Sequence, residues 1–194
     1  MSTKSKVTVP PMLSKVCQGD VYKNVKYNYI DTEDDNSVEI IEYEFPLAII
    51  ISQACDVTAM EGIFTSGVGK PAKFMPSILM CPIYEQNLAK RGEHLTEVFN
   101  GLSLTITKED VYHKDDYRVA ERDWHYRFHA FELVLNGSSV LSNAIIDFKH
   151  YFSVPISYLV KHKENRIYHI DDLFSEQLTL KFATYLSRVA IPDE

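Results

Sequence analysis

The stretch FPLAIIISQACD, residues 45–56, predicts the centre of the fold. It contains five consecutive apolar residues, at 47–51, of which the last three are β-branched isoleucines. A short apolar run that stops at a polar segment is typical of a strand covered by other elements on both faces. We therefore expect a central buried strand that ends in a polar turn at residues 52–56.

Four side chains in this turn are candidate binding or reactive groups: Ser52, Gln53, Cys55 and Asp56. Binding residues often lie on loops that a rigid sheet positions. Cys55 is also a candidate nucleophile, with His150 or Asp147 as the partner that would activate its thiol. The alternative is a structural turn and a small buried cysteine, which are the more common roles of such residues after a buried strand.

Length and patterning predict the fold class. With 194 residues and 45% apolar content, the chain can bury one good core, so we predict a single domain over residues 1–194. Within it we expect a loosely held arm at 1–16, barrel-like strands at 17–84, a helical insertion at 85–122, and a hairpin with a C-terminal helix at 123–194. These elements predict an α+β fold, a mostly antiparallel bent sheet or SH3-like β-barrel with the C-terminal helix packed on it.

Local patterns place several elements. Gly19-Asp20 predicts a turn, and alternation then predicts a strand as far as residue 30 with Val21, Val25, Tyr27 and Tyr29 on one face. The run DTEDDN at 31–36 predicts an acidic hairpin loop. Glycines at 62, 67 and 69 predict a loop over 58–73, a candidate lid. Asn136-Gly137 predicts a hairpin turn between a strand at 124–135 and its partner strand at 140–154. Short elements are expected at 156–161 (helix) and 166–170 (strand). The apolar stripe of the C-terminal helix consists of Phe174, Leu178, Phe182, Tyr185, Leu186 and Val189.

Bulk charge and cysteine content restrict the functional class. The formal net charge of −7 disfavours nucleic-acid binding without a local basic patch, and no such patch is evident in the sequence. No segment has the roughly 18 apolar residues of a membrane helix, and the first residues lack the apolar core of a signal peptide. Three cysteines without paired spacing fit a reducing compartment, so we expect a cytoplasmic protein without a membrane anchor.

A second candidate site lies in AIIDFK, residues 144–149, where Asp147 and Lys149 are two positions apart. If this run is a strand, both side chains share one face, where the carboxylate can hold Mg²⁺ and the lysine can orient water. The pattern resembles half of the PD-(D/E)xK nuclease motif. This resemblance implies a metal-dependent nuclease with Asp123 and Asp147 as metal ligands. No Pro-Asp dipeptide, which that family carries, precedes Asp147 in the chain, and a simple surface salt bridge is the alternative.

A third candidate set consists of His125, Arg127 and His129. If residues 124–135 form a strand, these side chains share one face and can bind an anion or a metal. The alternative is the polar face of a half-exposed strand. In that case Tyr126 and its neighbours at 128 and 130 point inward.

Three segments, GDVY at 19–22, PLAIIIS at 46–52 and ILMCPI at 78–83, share their order and spacing with a known family. Over residues 19–84 the chain resembles the small SH3-like barrel of the MazF/PemK toxins. The resemblance implies that barrel and a ribonuclease activity. Members stabilise the phosphate charge with an arginine before the first apolar strand and carry Ser or Thr after the later proline. This chain has Glu44-Phe45 and Ile83-Tyr84 there, so we carry over the scaffold and not the activity.

The longer series GDVY, SQACD, MPSILMCP, DFKHYFSVP and LSRVAIP is similar to a group of small bacterial proteins associated with phage defence. Each candidate catalytic site is incomplete, so we expect a non-catalytic binding or regulatory module. The resemblance implies that it belongs to a bacterial defence or toxin–antitoxin-like system. Such a module would contact a protein partner encoded nearby, or a second copy as a homodimer, through aromatic anchors such as Tyr27, Tyr29 and Phe64. No cofactor is expected, apart from Mg²⁺ under the nuclease hypothesis.

Overall fold

The structure is a computed structural model that describes residues 7–8, 14–34, 37–91, 93–95, 125–135 and 138–187. The described strands are β1 (Val7–Thr8), β2 (Asp20–Asp34), β3 (Ser37–Ile50), β4 (Ile78–Glu85), β5 (Phe128–Leu135), β6 (Ser138–Asp147), β7 (Phe152–Val154) and β8 (Arg166–Ile170). The described α-helices are α1 (Ala54–Ser66), α2 (Gln86–Lys90), α3 (Ile156–Lys161) and α4 (Asp172–Leu186). The expected helical insertion falls mostly outside these residues, as do Asp123 and the Asn136-Gly137 turn.

The strands form one antiparallel sheet in the order β1-β8-β2-β3-β4-β6-β5, and β7 pairs with β4. The sheet is curled into a half-barrel, and its two outermost strands, β1 and β5, approach each other. Because α4 packs on this sheet through Leu178 and Phe182, the expected α+β fold with a bent antiparallel sheet and a C-terminal helix is confirmed.

The inner end of β3 lies in the middle of the molecule. Ala48 and Ile50 belong to an apolar cluster with α1 and α3, whereas Ile49 and Ile51 belong to a cluster with α4. All four side chains are buried. The strand is therefore covered on both faces, as its uninterrupted apolar run predicts.

The alternation expected along β2 is wrong at one point. Val21 packs in the α4 cluster, whereas Val25 and Tyr27 pack with the α1 and α3 cluster on the opposite face. Asn24 between them has a left-handed φ of 52° and lies opposite Pro46 of β3. At this pair the alternation of side chains between the two sheet faces shifts by one residue in both strands. The shift is possible because Pro46 has no N–H to contribute to the hydrogen-bond ladder and because Asn24 tolerates a positive φ.

The expected loop over residues 58–73 is also wrong, because its first nine residues belong to α1. Val57 and Met60 of this helix are buried on the sheet, and that burial outweighs the helix-weakening Gly62. The helix ends at Gly67, which has a φ of 67° and donates its N–H to the Ile63 carbonyl at 2.9 Å. The loop is limited to residues 67–77, which include the 3₁₀ turn Pro71–Lys73.

In the second half of the chain, α3 and β8 have the expected bounds, and Asp171 caps α4 by accepting a hydrogen bond from the Leu173 N–H at 3.1 Å. Two expectations differ. The partner strand expected over 140–154 is interrupted by the 3₁₀ turn Phe148–His150, and Leu186 is exposed and not part of the apolar stripe. Val189 lies outside the described residues.

Gly19, which leads into β2, has a φ of 83° and donates its N–H to the Ile50 carbonyl at 3.0 Å. A Cβ atom here would lie 2.9 Å from Ser175 Cβ and 3.2 Å from the Ile170 carbonyl. We expect Gly19→Ala to lower the free energy of unfolding by about 2–4 kcal/mol, from strain and overpacking together, as measured by urea denaturation. The control is Gly67→Ala, where φ is 67° and no atom lies within 4 Å of the added Cβ. Equal losses would show that the Ser175 contact is unimportant.

Candidate functional site

The polar turn after β3 is a structural junction. Ser52 is buried, and its Oγ accepts a hydrogen bond from the Leu79 N–H at 2.8 Å, which fixes the start of β4 to the end of β3. Gln53 is exposed, and its carbonyl accepts from the N–H groups of Asp56 and Val57 at 3.0 Å in the first turn of α1. The backbone and the serine side chain of this turn are therefore used for folding.

Gln18 completes this junction, and sequence patterns did not reveal it. Its Oε1 accepts from the Ala54 N–H at 3.0 Å, and its Nε2 donates to Thr179 Oγ1 at 2.6 Å. Thr179 Oγ1 in turn donates to the Ile51 carbonyl at 3.0 Å. One buried amide thus joins the start of α1 to α4. The contact spans 161 residues of sequence, and no local pattern indicates it.

Cys55 is exposed at the start of α1, and its Sγ lies 3.6 Å from Asp56 Oδ1. The candidate base His150 contacts Tyr84 of β4. Tyr84 lies five residues further along β4 than Leu79, whose N–H donates to Ser52 in the turn that precedes Cys55. At 3.3 Å per residue this separation is about 16 Å. The structure therefore does not bring Cys55 and His150 together.

Asp147 lies at the end of β6 and is buried. Its Oδ1 accepts from Arg127 Nε at 2.7 Å, and its Oδ2 accepts from Arg127 Nη2 at 2.5 Å, so the pair is bidentate. Its Oδ1 also accepts from the Lys149 N–H at 3.0 Å and caps the 3₁₀ turn. Because the strand stops at Asp147, the expectation that Lys149 shares its strand face is wrong, and the Lys149 side chain is exposed.

Two histidines and a tyrosine extend this arrangement, and we call the five residues Arg127, Asp147, His150, Tyr84 and His94 the Asp147 cluster. His150 Nε2 lies 3.6 Å from Asp147 Oδ2, and its Nδ1 lies 3.2 Å from the Tyr84 hydroxyl. The His94 ring contacts Tyr84 edge-on, with centroids 4.5 Å apart. Burial lowers the pKa of His150, and it lowers the pKa of His94 to about 4. The cluster is a buried ion pair beside two imidazoles that are uncharged at neutral pH.

The lowered pKa of His94 gives a prediction for stability against pH. A group whose pKa is lower in the folded state stabilises the fold fully above its unfolded value of about 6.5, and this contribution is lost as the pH falls below it. The loss continues down to the folded pKa of about 4. We expect His94→Gln to reduce the loss of unfolding free energy between pH 7 and pH 5, as measured by urea titration. An unchanged pH dependence in the variant would contradict this.

His125, Arg127 and His129 do not share one face, so that expectation is wrong. Because β5 begins only at residue 128, His125 lies outside the strand, where its Nδ1 accepts from the Arg127 N–H at 3.1 Å. His129 is buried, with Nδ1 3.2 Å from Lys181 Nζ on α4. Tyr126, expected to point inward, is 48% exposed. Within the described residues, no three His, Cys, Asp or Glu side chains form a group that can hold a metal ion.

The outer parts of β2 and β3 form a separate feature. Their pairing continues as far as Asp34 opposite Ser37. In contrast, β8 pairs with β2 only at residues 20–22, and β4 pairs with β3 only at residues 48–50. Residues 26–44, which we call the ribbon, are therefore flanked by no other strand of the described sheet.

The two faces of the ribbon differ. Tyr27, Ile41 and Tyr43 are partly buried on one face, and Tyr27 contacts Phe152 of β7 with ring centroids 5.5 Å apart. The opposite face is exposed and carries Lys26, Asn28, Ile30, Ile40, Glu42 and Glu44. The base of the ribbon is thus anchored to the sheet by aromatic contacts, whereas its other face is available to a partner.

The ribbon also carries most of the net charge of the protein. Residues 26–44 contain seven Asp or Glu residues and one lysine, a net charge of −6, whereas the whole chain has −7. A concentration of one sign of charge on a narrow segment produces a strong local field. The ribbon is therefore strongly acidic.

No protein-family model matches the chain, and searches among curated proteins and solved structures found no similar protein. None of the described helices combines the length and the apolar character that crossing a bilayer requires.

Proposed function

We propose that the chain is a non-catalytic binding or regulatory module of a bacterial defence or toxin–antitoxin-like system, and that it acts by contacting a basic protein partner. The observation that carries this proposal is the ribbon, because it is flanked by no other described strand and has a net charge of −6. Such a field attracts a positively charged surface and speeds its association. It repels a second copy of the same ribbon, so the partner is a different protein. The bacterial setting follows the sequence resemblance.

The polar clusters support a binding role over a catalytic one. Both carboxylate oxygens of Asp147 accept hydrogen bonds from Arg127, so the charge that Mg²⁺ would need is already balanced within the protein. Ser52 binds the Leu79 amide at the start of β4, close to Cys55 in sequence, whereas His150 contacts Tyr84 near the other end of that strand. These positions do not form the constellation that the nuclease or the thiol hypothesis requires.

The proposed location is the cytoplasm. Cys17, Cys55 and Cys81 are all free thiols, and Cys81 is buried in the core. Unpaired cysteines suit a reducing compartment, where thiols persist. A partner encoded nearby would be made in the same compartment.

Charge reversal on the ribbon tests the proposal. We expect the tagged protein to capture a basic protein from a native cell lysate and to release it at roughly 0.5 M salt, because salt screens surface charge. The double variant Glu42→Lys, Glu44→Lys should capture at least about 10-fold less, since it reverses two exposed charges on the ribbon. The readout is quantitative mass spectrometry of the eluate.

The matched control is Glu164→Lys, Glu176→Lys, which changes the net charge equally at exposed positions outside the ribbon. Equal capture by both double variants would contradict the proposal. So would Mg²⁺-dependent cleavage of DNA or RNA by the unaltered protein, which would favour the nuclease hypothesis instead.

A further inference from the structure

One hydrogen bond fixes the direction of the backbone groups along the ribbon. The Lys26 N–H donates to the Tyr158 hydroxyl of α3 at 2.9 Å, so it points away from β3. In an antiparallel pair, alternate residues direct both backbone groups outward. Asn28 and Ile30 therefore present their N–H and C=O groups on the outer edge of β2, and Tyr158 covers the base of this edge.

The register gives the corresponding residues on β3. Glu44 lies opposite Lys26, Glu42 opposite Asn28, and Ile40 opposite Ile30. Residues opposite each other in such non-hydrogen-bonded pairs both direct their backbone groups outward. The outer edge of β3 thus offers the N–H and C=O groups of Ile40, Glu42 and Glu44.

The two edges differ in charge. Among the outward residues, β3 contributes two exposed carboxylates, Glu42 and Glu44, whereas β2 contributes Lys26 and Asn28. The Lys26 ammonium lies 2.7 Å from Glu42 Oε1, so the single lysine of the ribbon offsets only part of the negative charge. A basic extended segment is therefore favoured at the β3 edge over the β2 edge.

We propose that the β3 edge of the ribbon, residues 40–44, takes up an extended basic segment of the partner as an additional antiparallel strand. Lysine or arginine side chains at alternate positions of that segment lie opposite Glu42 and Glu44. Backbone hydrogen bonds supply affinity and the alternate side chains supply specificity. This inference rests on the proposed function and names the class of its partner.

The same carboxylates explain why the edge stays open in the absence of that partner. An unpaired strand edge invites pairing with a second copy, and charged side chains on the edge oppose it. Two ribbons brought edge to edge would place Glu42 and Glu44 near the same residues of the other copy. The acidic β3 edge therefore disfavours pairing with a second copy of the ribbon and favours pairing with a basic strand.

The test uses Ile40→Pro and Ile30→Pro, a matched pair, because the two isoleucines lie directly opposite each other and are 65% and 61% exposed. Each proline removes one outward N–H and leaves the hydrogen bonds between β2 and β3 in place. The probe is an acetylated eight-residue peptide of alternating lysine and valine, labelled for fluorescence anisotropy. We expect Ile40→Pro to weaken binding at least about 10-fold and Ile30→Pro to change it less than about 2-fold.

A second arm uses the unaltered protein with two N-methylated peptides. Residues opposite Glu42 and Glu44 in an antiparallel addition direct their own N–H groups to the ribbon. Methylation of the lysine amides should therefore abolish binding, whereas methylation of the valine amides should not. Equal binding of both methylated peptides, or equal effects of the two prolines, would overturn strand addition.

The outcome separates this inference from the proposed function. If the alternating peptide does not bind while the lysate partner is still captured and is lost on ribbon charge reversal, strand addition is overturned and the binding function stands. If capture of the lysate partner is also unaffected by charge reversal on the ribbon, both strand addition and the proposed binding function are overturned.

Discussion

Asp20→Ala is expected to lower the free energy of unfolding by about 3–5 kcal/mol, because it removes one half of a buried ion pair. Asp20 is fully buried, and its Oδ2 accepts from Arg166 Nη1 at 3.1 Å and from the Cys17 N–H at 2.8 Å. Its Oδ1 lies 2.8 Å from His169 Nδ1. One carboxylate thus connects the start of β2 with β8, and the substitution removes its contacts on both sides at once.

The control for Asp20 is Asp172→Ala. The Asp172 side chain is 91% exposed and lies 3.4 Å from His169 Nε2, the other ring nitrogen of the same histidine. An exposed pair of this kind contributes little, within about 1 kcal/mol. Urea denaturation of the two variants under the same conditions gives both values. Equal losses would show that burial of Asp20 is not the cause.

Asp20→Ala should also alter the pH dependence of stability. The hydrogen bond that His169 donates to the Asp20 carboxylate raises the pKa of His169. A raised pKa gives stability that is present below the unfolded value of about 6.5 and is lost as the pH rises through the folded value. In Asp20→Ala this loss above about pH 6.5 should shrink, because its main cause is gone.

Asp147→Ala is expected to cost a similar amount, about 3–5 kcal/mol, because it leaves Arg127 facing the site of the removed carboxylate. The substitution also removes the acceptor that caps the 3₁₀ turn at the Lys149 N–H. Replacement of both partners by apolar residues of similar volume, as in Asp147→Leu with Arg127→Met, should recover much of the loss, since no buried charge remains. A double-mutant cycle from urea unfolding measures this coupling. Additive losses would contradict a direct ion pair.

The elements that sequence predicts well are those with a local physical cause. The central strand follows from its uninterrupted apolar run, and α4 follows from the Asp171 cap and the 3.6-residue spacing of its buried side chains. The helix α1 was missed because a glycine-rich sequence indicates a loop, whereas burial of Val57 and Met60 on the sheet favours a helix. Local propensity is weaker than that tertiary contact.

The candidate sites were harder to predict because their partners are distant in sequence. Asp20 and Arg166 are 146 residues apart, and no periodicity connects them. The Arg127–Asp147 pair was not predictable from a regular hairpin either. Uninterrupted pairing from Leu135 opposite Ser138 would place Phe128 opposite Ile145, whereas two register shifts between β5 and β6 place it opposite Asp147. The acidity of residues 31–36 can be read directly from the sequence. In contrast, the lack of a flanking described strand along the ribbon depends on where β4 and β8 pair with β3 and β2.

The position of β8 between β1 and β2 has a consequence for biosynthesis. Residues 166–170 complete the inner end of β2, so a chain emerging from the ribosome exposes that flank until about 140 further residues have been translated. Contacts that close such long loops form slowly. During synthesis the inner end of β2 therefore lacks its β8 partner for a long interval. Chaperones can bind the exposed edge during that interval.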